Sequence, residues 1–182
     1  MLKQQQYELL ALALSYPNPD LLKAIQAGDF EQAFGQNAPI PASLEELEVE
    51  YCRMFVGPGH IEVPPYESVY RGHDHNMQKG TIMGPATVDV REMYARSGLQ
   101  LAANFTDMPD HIAVETWFLA YLEAMASTDP QGNYIEYKKQ FLDQHLGQWV
   151  EPFVEGIQRR GRHPWYEFAA NLLYETIQSE LS

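Results

Sequence analysis

The chain has 182 residues, 45% of them hydrophobic and 20% charged, a composition that indicates one globular domain and excludes a disordered chain. Its formal net charge of -13 argues against electrostatic binding to nucleic acid or anionic lipid and favours cationic partners. The single cysteine, Cys52, excludes an intramolecular disulfide bond and a multi-cysteine metal site. Because no apolar signal segment and no run of about 18 apolar residues is present, we expect a cytoplasmic protein that does not insert into a membrane.

Helical spacing of apolar residues dominates the chain, and the alternation that is typical of strands is missing. A first helix is predicted over residues 4–16, and Asn18 is expected to cap a short second helix. Residues 28–42 are predicted to form a loop or a poorly formed helix. The pattern SLEE from Ser43 is a capping box that begins another helix, which Gly57 ends.

The second part of the chain begins with residues 57–85, a long stretch rich in Pro, Gly and His of the kind that often carries function. Further helices are predicted over about 87–98 and 109–126. Two or three more follow the linker 127–133, where a hinge is expected. We therefore predict an all-α fold in which residues 1–182 form a single helical bundle.

A metal site is one hypothesis for the histidines of this chain. His73 and His75 lie close together, and His111 with Glu115 would complete the ligands of a metal-dependent hydrolase. The spacing of these residues does not match a known metal motif, and neither a nucleophile motif nor a phosphate-binding loop is present. We expect no metal and no enzymatic activity, and the hydrolase stays an alternative.

Two segments combine polar and aromatic residues in a way that suits binding. Asp110, His111 and Glu115 are predicted in the first turns of one helix, where the spacing of four places His111 and Glu115 on one face. A structural interpretation is that Asp110 caps this helix and His111 forms a hydrogen bond with Glu115. In the segment 64–70, two aromatic residues follow a stiff Pro-Pro pair, which suits either peptide binding or packing on the core.

Four segments taken together resemble the TorD/DmsD family of redox-enzyme maturation chaperones, whose distant relatives include the NarJ type. They are EYCRMFVGP at 50–58, PPYESVY at 64–70, PDHIAVE at 109–115 and the pattern HLxxW from His145. The resemblance implies an all-helical chaperone that binds the twin-arginine signal peptide and the apo form of a molybdenum-cofactor oxidoreductase of the dimethyl sulfoxide or trimethylamine N-oxide reductase type. The chaperone would hold this partner for cofactor insertion before export.

The resemblance also implies which residues bind the signal peptide. They are Phe55, Gly57, Pro58, Pro65, Tyr66, Ser68, Tyr70, Gly84, Asp110, His111 and Glu115. Two positions depart from residues that are common in the family, since Tyr66 stands where some relatives have Trp and Met54 stands where Leu is common. These departures leave open which branch of the family applies.

Several properties stay open at this point. Guanine-nucleotide binding is implied by some relatives only, and no residue here is assigned to it; no other cofactor is expected. The oligomeric state is expected to be a monomer or a domain-swapped homo-oligomer. Two other functions are a chaperone for a metalloenzyme that lacks a leader, and a helical adaptor without leader specificity.

Overall fold

The structure, a computed structural model, describes residues 2–71, 82–102, 105 and 107–182. Its α-helices are α1 (Leu2–Leu14), α2 (Pro19–Ala27), α3 (Asp29–Phe34), α4 (Leu44–Tyr51), α5 (Glu67–Arg71), α6 (Pro85–Arg96), α7 (Ile112–Thr128), α8 (Tyr134–Phe141), α9 (Gly147–Arg160) and α10 (Pro164–Leu181). Extended pairing within these residues is limited to one isolated antiparallel bridge. The predicted all-α fold is confirmed.

The predicted helix starts are reproduced by their capping contacts. Asn18 accepts hydrogen bonds from the backbone N–H groups of Asp20 and Leu21, at 2.9 and 3.2 Å. The Ser43 hydroxyl accepts from the N–H of Glu46 at 3.3 Å. Both contacts satisfy N–H groups that have no partner inside their own helix, which is why a short polar residue stands at each position.

The core is built around α7, which packs along α1, and around the pair α9 and α10. Its largest members are aromatic and wholly buried, among them Trp149, Phe153 and Trp165. Burying a phenylalanine side chain such as Phe153 contributes about 1.5–3 kcal/mol. None of the helices in the described residues combines the length and the apolarity needed to span a bilayer.

Two π-helical turns, Cys52–Val56 after α4 and Leu142–Leu146 between α8 and α9, interrupt the regular helical pitch. Turns of this kind are frequent at functional sites because they shift the direction in which side chains point. The first carries Phe55 and the second carries His145. The ring of Phe55 contacts Tyr51, and His145 contacts Glu67.

The described part of the long stretch that begins at Gly57 contains a tight reversal and a short helix. Gly57 has a φ of 62°, and a Cβ there would overlap the carbonyl oxygen of His60, so the reversal after the first π-helical turn requires glycine. The short helix α5 lies inside this stretch, where no helix was predicted from the sequence. His73 and His75 lie outside the described residues.

Two further predictions receive no test from these helices. The connection between α7 and α8 covers residues 129–133, inside the predicted hinge, and Lys138 forms ion pairs with Glu123 on α7 and Glu180 on α10 at 2.6 and 2.8 Å. The single domain over residues 1–182 and the hinge stay predictions.

Candidate functional site

Two of the family segments, whose first residues are 45 positions apart, are joined by backbone hydrogen bonds. The N–H of Ile112 donates to the carbonyl oxygen of Pro65 at 2.9 Å, and the N–H of Glu67 donates to that of Asp110 at 3.0 Å. Tyr66 and His111 form the isolated antiparallel bridge between these bonds. The start of α5 and the start of α7 are therefore held in one register.

Asp110 strengthens this junction from the side of α7. Its carboxylate oxygen Oδ2 accepts the backbone N–H of Ser68 at 3.0 Å, and both residues are buried. This N–H belongs to the first turn of α5, where it has no partner within the helix. Asp110 thus caps α5, a helix distant in sequence.

The structural interpretation drawn from the sequence was wrong in its details. Asp110 and His111 precede α7, which begins at Ile112, and His111 is the residue that caps it by accepting the N–H of Ala113 on Nδ1 at 3.1 Å. His111 is extended because it takes part in the bridge to Tyr66. The side chain of Glu115 points elsewhere and bonds with Trp149.

His111 is held in its neutral form. Burial lowers its pKa, and the Nδ1 atom that accepts the N–H of Ala113 cannot also carry a proton. The proton is therefore on Nε2, which lies 3.3 Å from the hydroxyl of Tyr51 and donates to it. The imidazole connects the start of α7 with the end of α4.

The contact between Tyr51 and His111 is part of an aromatic row, which consists of Tyr16, Tyr51, His111 and Tyr66. Tyr16 meets Tyr51 edge to face with ring centroids 5.4 Å apart, and Tyr66 meets His111 in the same way at 5.4 Å. The ends of the row are open to solvent, since Tyr16 is 51% exposed and Tyr66 is half-buried. Such a row offers aromatic faces and edges to a chain that lies across it.

Acidic charge lies beside the aromatic row. Asp107 is exposed. Burial is the largest cause that raises the pKa of Tyr51 and Tyr66, and the negative charge of Asp107 is the second largest. The two phenols therefore stay neutral over the physiological range. A cation that approaches the row meets a carboxylate and aromatic rings together, which favours a guanidinium or ammonium group.

Behind the row lies an acid cluster, which consists of Glu67, Arg71, Glu115, His145 and Trp149. The Glu67 carboxylate is wholly buried and binds the Arg71 guanidinium, and both of its oxygens lie 3.1 Å from His145 Nδ1. Glu115 is also wholly buried and accepts the indole N–H of Trp149 at 3.1 Å. The cluster links α5, α7, the second π-helical turn and α9.

The two carboxyl groups of the acid cluster cannot both be charged at low cost. Burial is the largest cause that raises the pKa of Glu115 well above its ordinary value. The negative charge of Glu67 and a hydrogen bond between the two carboxyl groups raise it further. No donor among the described residues reaches Oε1 of Glu115. A proton on Glu115 removes this conflict, because the acid then donates to the Glu67 carboxylate, and the pair carries a single negative charge.

The residues implied by the family resemblance differ in their access to solvent. Tyr66, Tyr70, Gly57 and Gly84 are half-buried, and Pro58 is exposed. The wholly or almost wholly buried ones are Phe55, Pro65, Ser68, Asp110, His111 and Glu115.

Their places in the fold also differ. Tyr66, Ser68, Asp110 and His111 meet at the junction of α5 and α7, whereas Tyr70 stacks on Trp149 with centroids 5.3 Å apart. Gly84 stands directly before α6.

Sequence reasoning missed several members of the site. Tyr51 lies inside the first family segment, and its spacing of four from Phe55 was the available signal. Glu67 and His145 lie within two of the family segments, but nothing in the sequence indicated that they pair across 78 residues. Tyr16 stands in the turn after α1, and nothing in the sequence relates it to His111.

The metal hypothesis gains no support from the arrangement. Both ring nitrogens of His111 are engaged, and Glu115 faces Trp149 and Glu67. Within the residues that the structure describes, no group of three or more His, Cys, Asp or Glu side chains is arranged to hold a metal ion.

Comparison with known proteins gives relatives of one kind. Residues 12–155 match the family model described as nitrate reductase delta subunit. The chaperone protein TorD of Vibrio cholerae is 27% identical over 139 residues, which cover 74% of this chain and 60% of that protein. TorD of Psychrobacter sp. is 28% identical over 186 residues, which cover 97% of this chain and 78% of that protein.

A solved structure shares the fold. It is described as a candidate redox enzyme maturation protein from Archaeoglobus fulgidus, with a TM-score of 0.64 and 24% identity over 94% of this chain and 92% of that one. The chain spans about 60% of the length of several TorD chaperones that it matches. It belongs to the nitrate reductase delta subunit family, and its resemblance to the TorD/DmsD family of redox-enzyme maturation chaperones is confirmed.

Proposed function

We propose that this protein is a chaperone that binds the apo form of a molybdenum-cofactor oxidoreductase through its twin-arginine leader and holds it for cofactor insertion. The family match and the TorD relatives support the general role in maturing a redox enzyme. The leader and the type of enzyme come from the family resemblance.

The observation that carries the proposal is the aromatic row with its acidic edge. A twin-arginine leader has a basic start followed by a moderately apolar stretch. Tyr16 and Tyr66 offer partly exposed rings for the apolar stretch, and Asp107 offers a carboxylate for the basic start. The net charge of -13 adds long-range attraction for a basic leader.

The buried residues of the site have a supporting role in this proposal. Asp110 and His111 are too buried to contact a peptide while the fold stays as it is, but they fix the bridge that presents Tyr66. Contacts held by such a rigid base cost less entropy on binding. The leader therefore meets a preformed surface.

Capture of the partner tests the proposal. Tagged protein is used to recover partners from its host grown without oxygen, and mass spectrometry identifies them and their N-termini. We expect a molybdoenzyme precursor that still carries its leader, and we expect deletion of the leader from that precursor to abolish recovery. Recovery of a leaderless metalloenzyme, or recovery that is indifferent to the deletion, contradicts leader binding.

A further inference from the structure

The acid cluster already shows how this protein binds a guanidinium group. The carboxylate of Glu67 is wholly buried and forms an ion pair with Arg71, four residues further along α5. His145, in the second π-helical turn, donates to the same carboxylate at 3.1 Å. Because a proton on Glu115 leaves the carboxyl pair with one negative charge, a single cation neutralises the cluster.

The anion and the cation of this pair differ in their access to solvent. The side chain of Glu67 is 0% exposed, whereas that of Arg71 is 31% exposed. Arg71 is the last residue of α5, which has only five residues, and helices this short depend on their packing for stability. The guanidinium therefore reaches the cluster from the surface, at the C-terminal end of a short helix.

A cavity of about 220 Å³ opens beside this ion pair, between α5, α6 and the second π-helical turn. Arg71 and His145 form part of its wall, and Asp89, Glu92 and Arg96 line the side formed by α6. This volume lies below the range of roughly 300–1,000 Å³ that is usual for small-molecule sites and suits one long side chain. Glu67 is not part of the wall but lies behind Arg71 and His145, so removal of Arg71 would leave Glu67, Asp89 and Glu92 with one arginine, Arg96, at the cavity.

We infer that this cavity is a binding site for one guanidinium group of a partner, and that Arg71 occupies the inner end of the site until an incoming arginine replaces it on Glu67. The inference rests on the proposed function, to which it adds an arginine subsite. Tyr66 directly precedes α5 and Arg71 ends it, so the two lie roughly 9 Å apart along the chain, counting one extended step and four helical rises. An extended leader covers that distance with two or three residues, so one peptide reaches both the aromatic row and the cavity.

The chemistry of the site favours arginine over lysine. Glu67 presents two oxygens, and a planar guanidinium donates to such a pair with two parallel hydrogen bonds. A lysine ammonium is a compact and more strongly hydrated charge that offers no such fork. The displaced Arg71 side chain is near the surface and regains water when it leaves.

Substitution of Arg71 tests the inference. We expect Arg71→Gln to bind a synthetic twin-arginine leader peptide about tenfold more tightly than the wild type in calorimetric titrations, because the site no longer has an internal occupant. The same peptide with both arginines replaced by lysine should show no gain. Adding Glu67→Gln to Arg71→Gln should remove the gain for the arginine peptide. Arg71→Lys, which keeps the charge, should show a smaller gain and carries the test if Arg71→Gln does not fold.

The outcomes separate this inference from the proposed function. Equal or weaker binding by a folded Arg71→Gln variant overturns the subsite, while binding by the wild type leaves the proposed function standing. If the wild type does not bind the leader at all, the proposed function fails, and N-acetyl-arginine amide then probes the cavity alone. A shift of the His145 ring signals in NMR spectra of Arg71→Gln with this probe, and none with N-acetyl-lysine amide, supports the subsite; no shift with either overturns it.

Discussion

The aromatic row and the acid cluster adjoin at the starts of α5 and α7, where Tyr66 precedes Glu67 and His111 precedes α7, but the two regions differ in their access to solvent. The row ends in side chains that meet water, with Tyr16 51% exposed, whereas Glu67 and Glu115 in the cluster are wholly buried. The resemblance treated residues from both regions as one binding surface. Their burial separates the groups that can touch a partner from those that shape the surface.

The difference arises from how each group satisfies its polar atoms. In the row, ring edges and faces need no buried hydrogen-bond partner, so Tyr66 can lie half in solvent at little cost. In the cluster, a buried carboxylate such as Glu67 is tolerable only because Arg71 and His145 bond with it. The row is therefore free to bind, while the cluster is committed to its internal contacts unless another cation takes the place of Arg71.

The largest effect that we expect comes from the shared proton of the acid cluster. The pKa of Glu115 is raised in the folded protein above its ordinary value of 4.5, so its contribution to stability is complete below about pH 4.5 and is lost as the pH rises towards the folded-state pKa. Glu115→Gln keeps a donor to Glu67 and does not ionise. As the pH rises through this range, we expect the wild type to lose stability relative to this variant. The difference between their free energies of unfolding should increase by about 1.4 kcal/mol per pH unit.

Urea unfolding at a series of pH values measures this difference. Glu123→Gln is a suitable control, because Glu123 lies on the same helix but pairs with Lys138 near the surface. Parallel pH profiles for Glu115→Gln and the wild type would show that Glu115 is ionised in the folded protein.

A second prediction concerns the junction between the two regions. Asp110→Ala leaves the buried N–H of Ser68 without its acceptor, and we expect the free energy of unfolding to fall by about 2 kcal/mol. Asp110→Asn keeps an acceptor and should lose less. Urea unfolding followed by circular dichroism compares the variants, and a fully stable Asp110→Ala would contradict the capping role of Asp110.

A third prediction separates binding from folding. Tyr66→Ala removes a half-buried ring of the aromatic row, and we expect the free energy of binding to a synthetic twin-arginine leader peptide to weaken by about 1–2 kcal/mol. Its unfolding free energy should change less than that of Asp110→Ala. Calorimetric titration is the measurement, and Tyr137→Ala, a half-buried tyrosine on α8, is the matched control. Equal losses in the two variants would remove the row from the binding surface.

The smallest effect is expected at the far end of the row. Tyr16→Ala should weaken binding of the same peptide by about 0.5–1 kcal/mol, because Tyr16 is more exposed than Tyr66 and supports the row through one edge-to-face contact with Tyr51. Tyr16→Phe keeps that contact and should bind as the wild type does. If Tyr16→Ala also binds as the wild type does, the peptide covers only the end of the row near Tyr66.

Much of the fold follows from local patterns in the sequence. The capping residues Asn18 and Ser43 act on N–H groups two or three positions away, so their role is visible without the tertiary structure. The start of α7 was misplaced by about three residues because His111 is extended through its bridge to Tyr66. The helix α5 was missed for a similar reason, since its cap comes from Asp110, 42 residues from Ser68.

The sequence by itself determined the helical class, the capping of the first helices and the segments that carry the site, because these depend on spacings within a few residues. Only the tertiary structure decided which side chains of those segments meet water. Glu67 and His145 are 78 residues apart, and Tyr51 and His111 are 60 apart, so their contacts exist only once the helices pack. Burial and the protonation that follows from it are set by that packing, since the cost of a charge depends on what surrounds it.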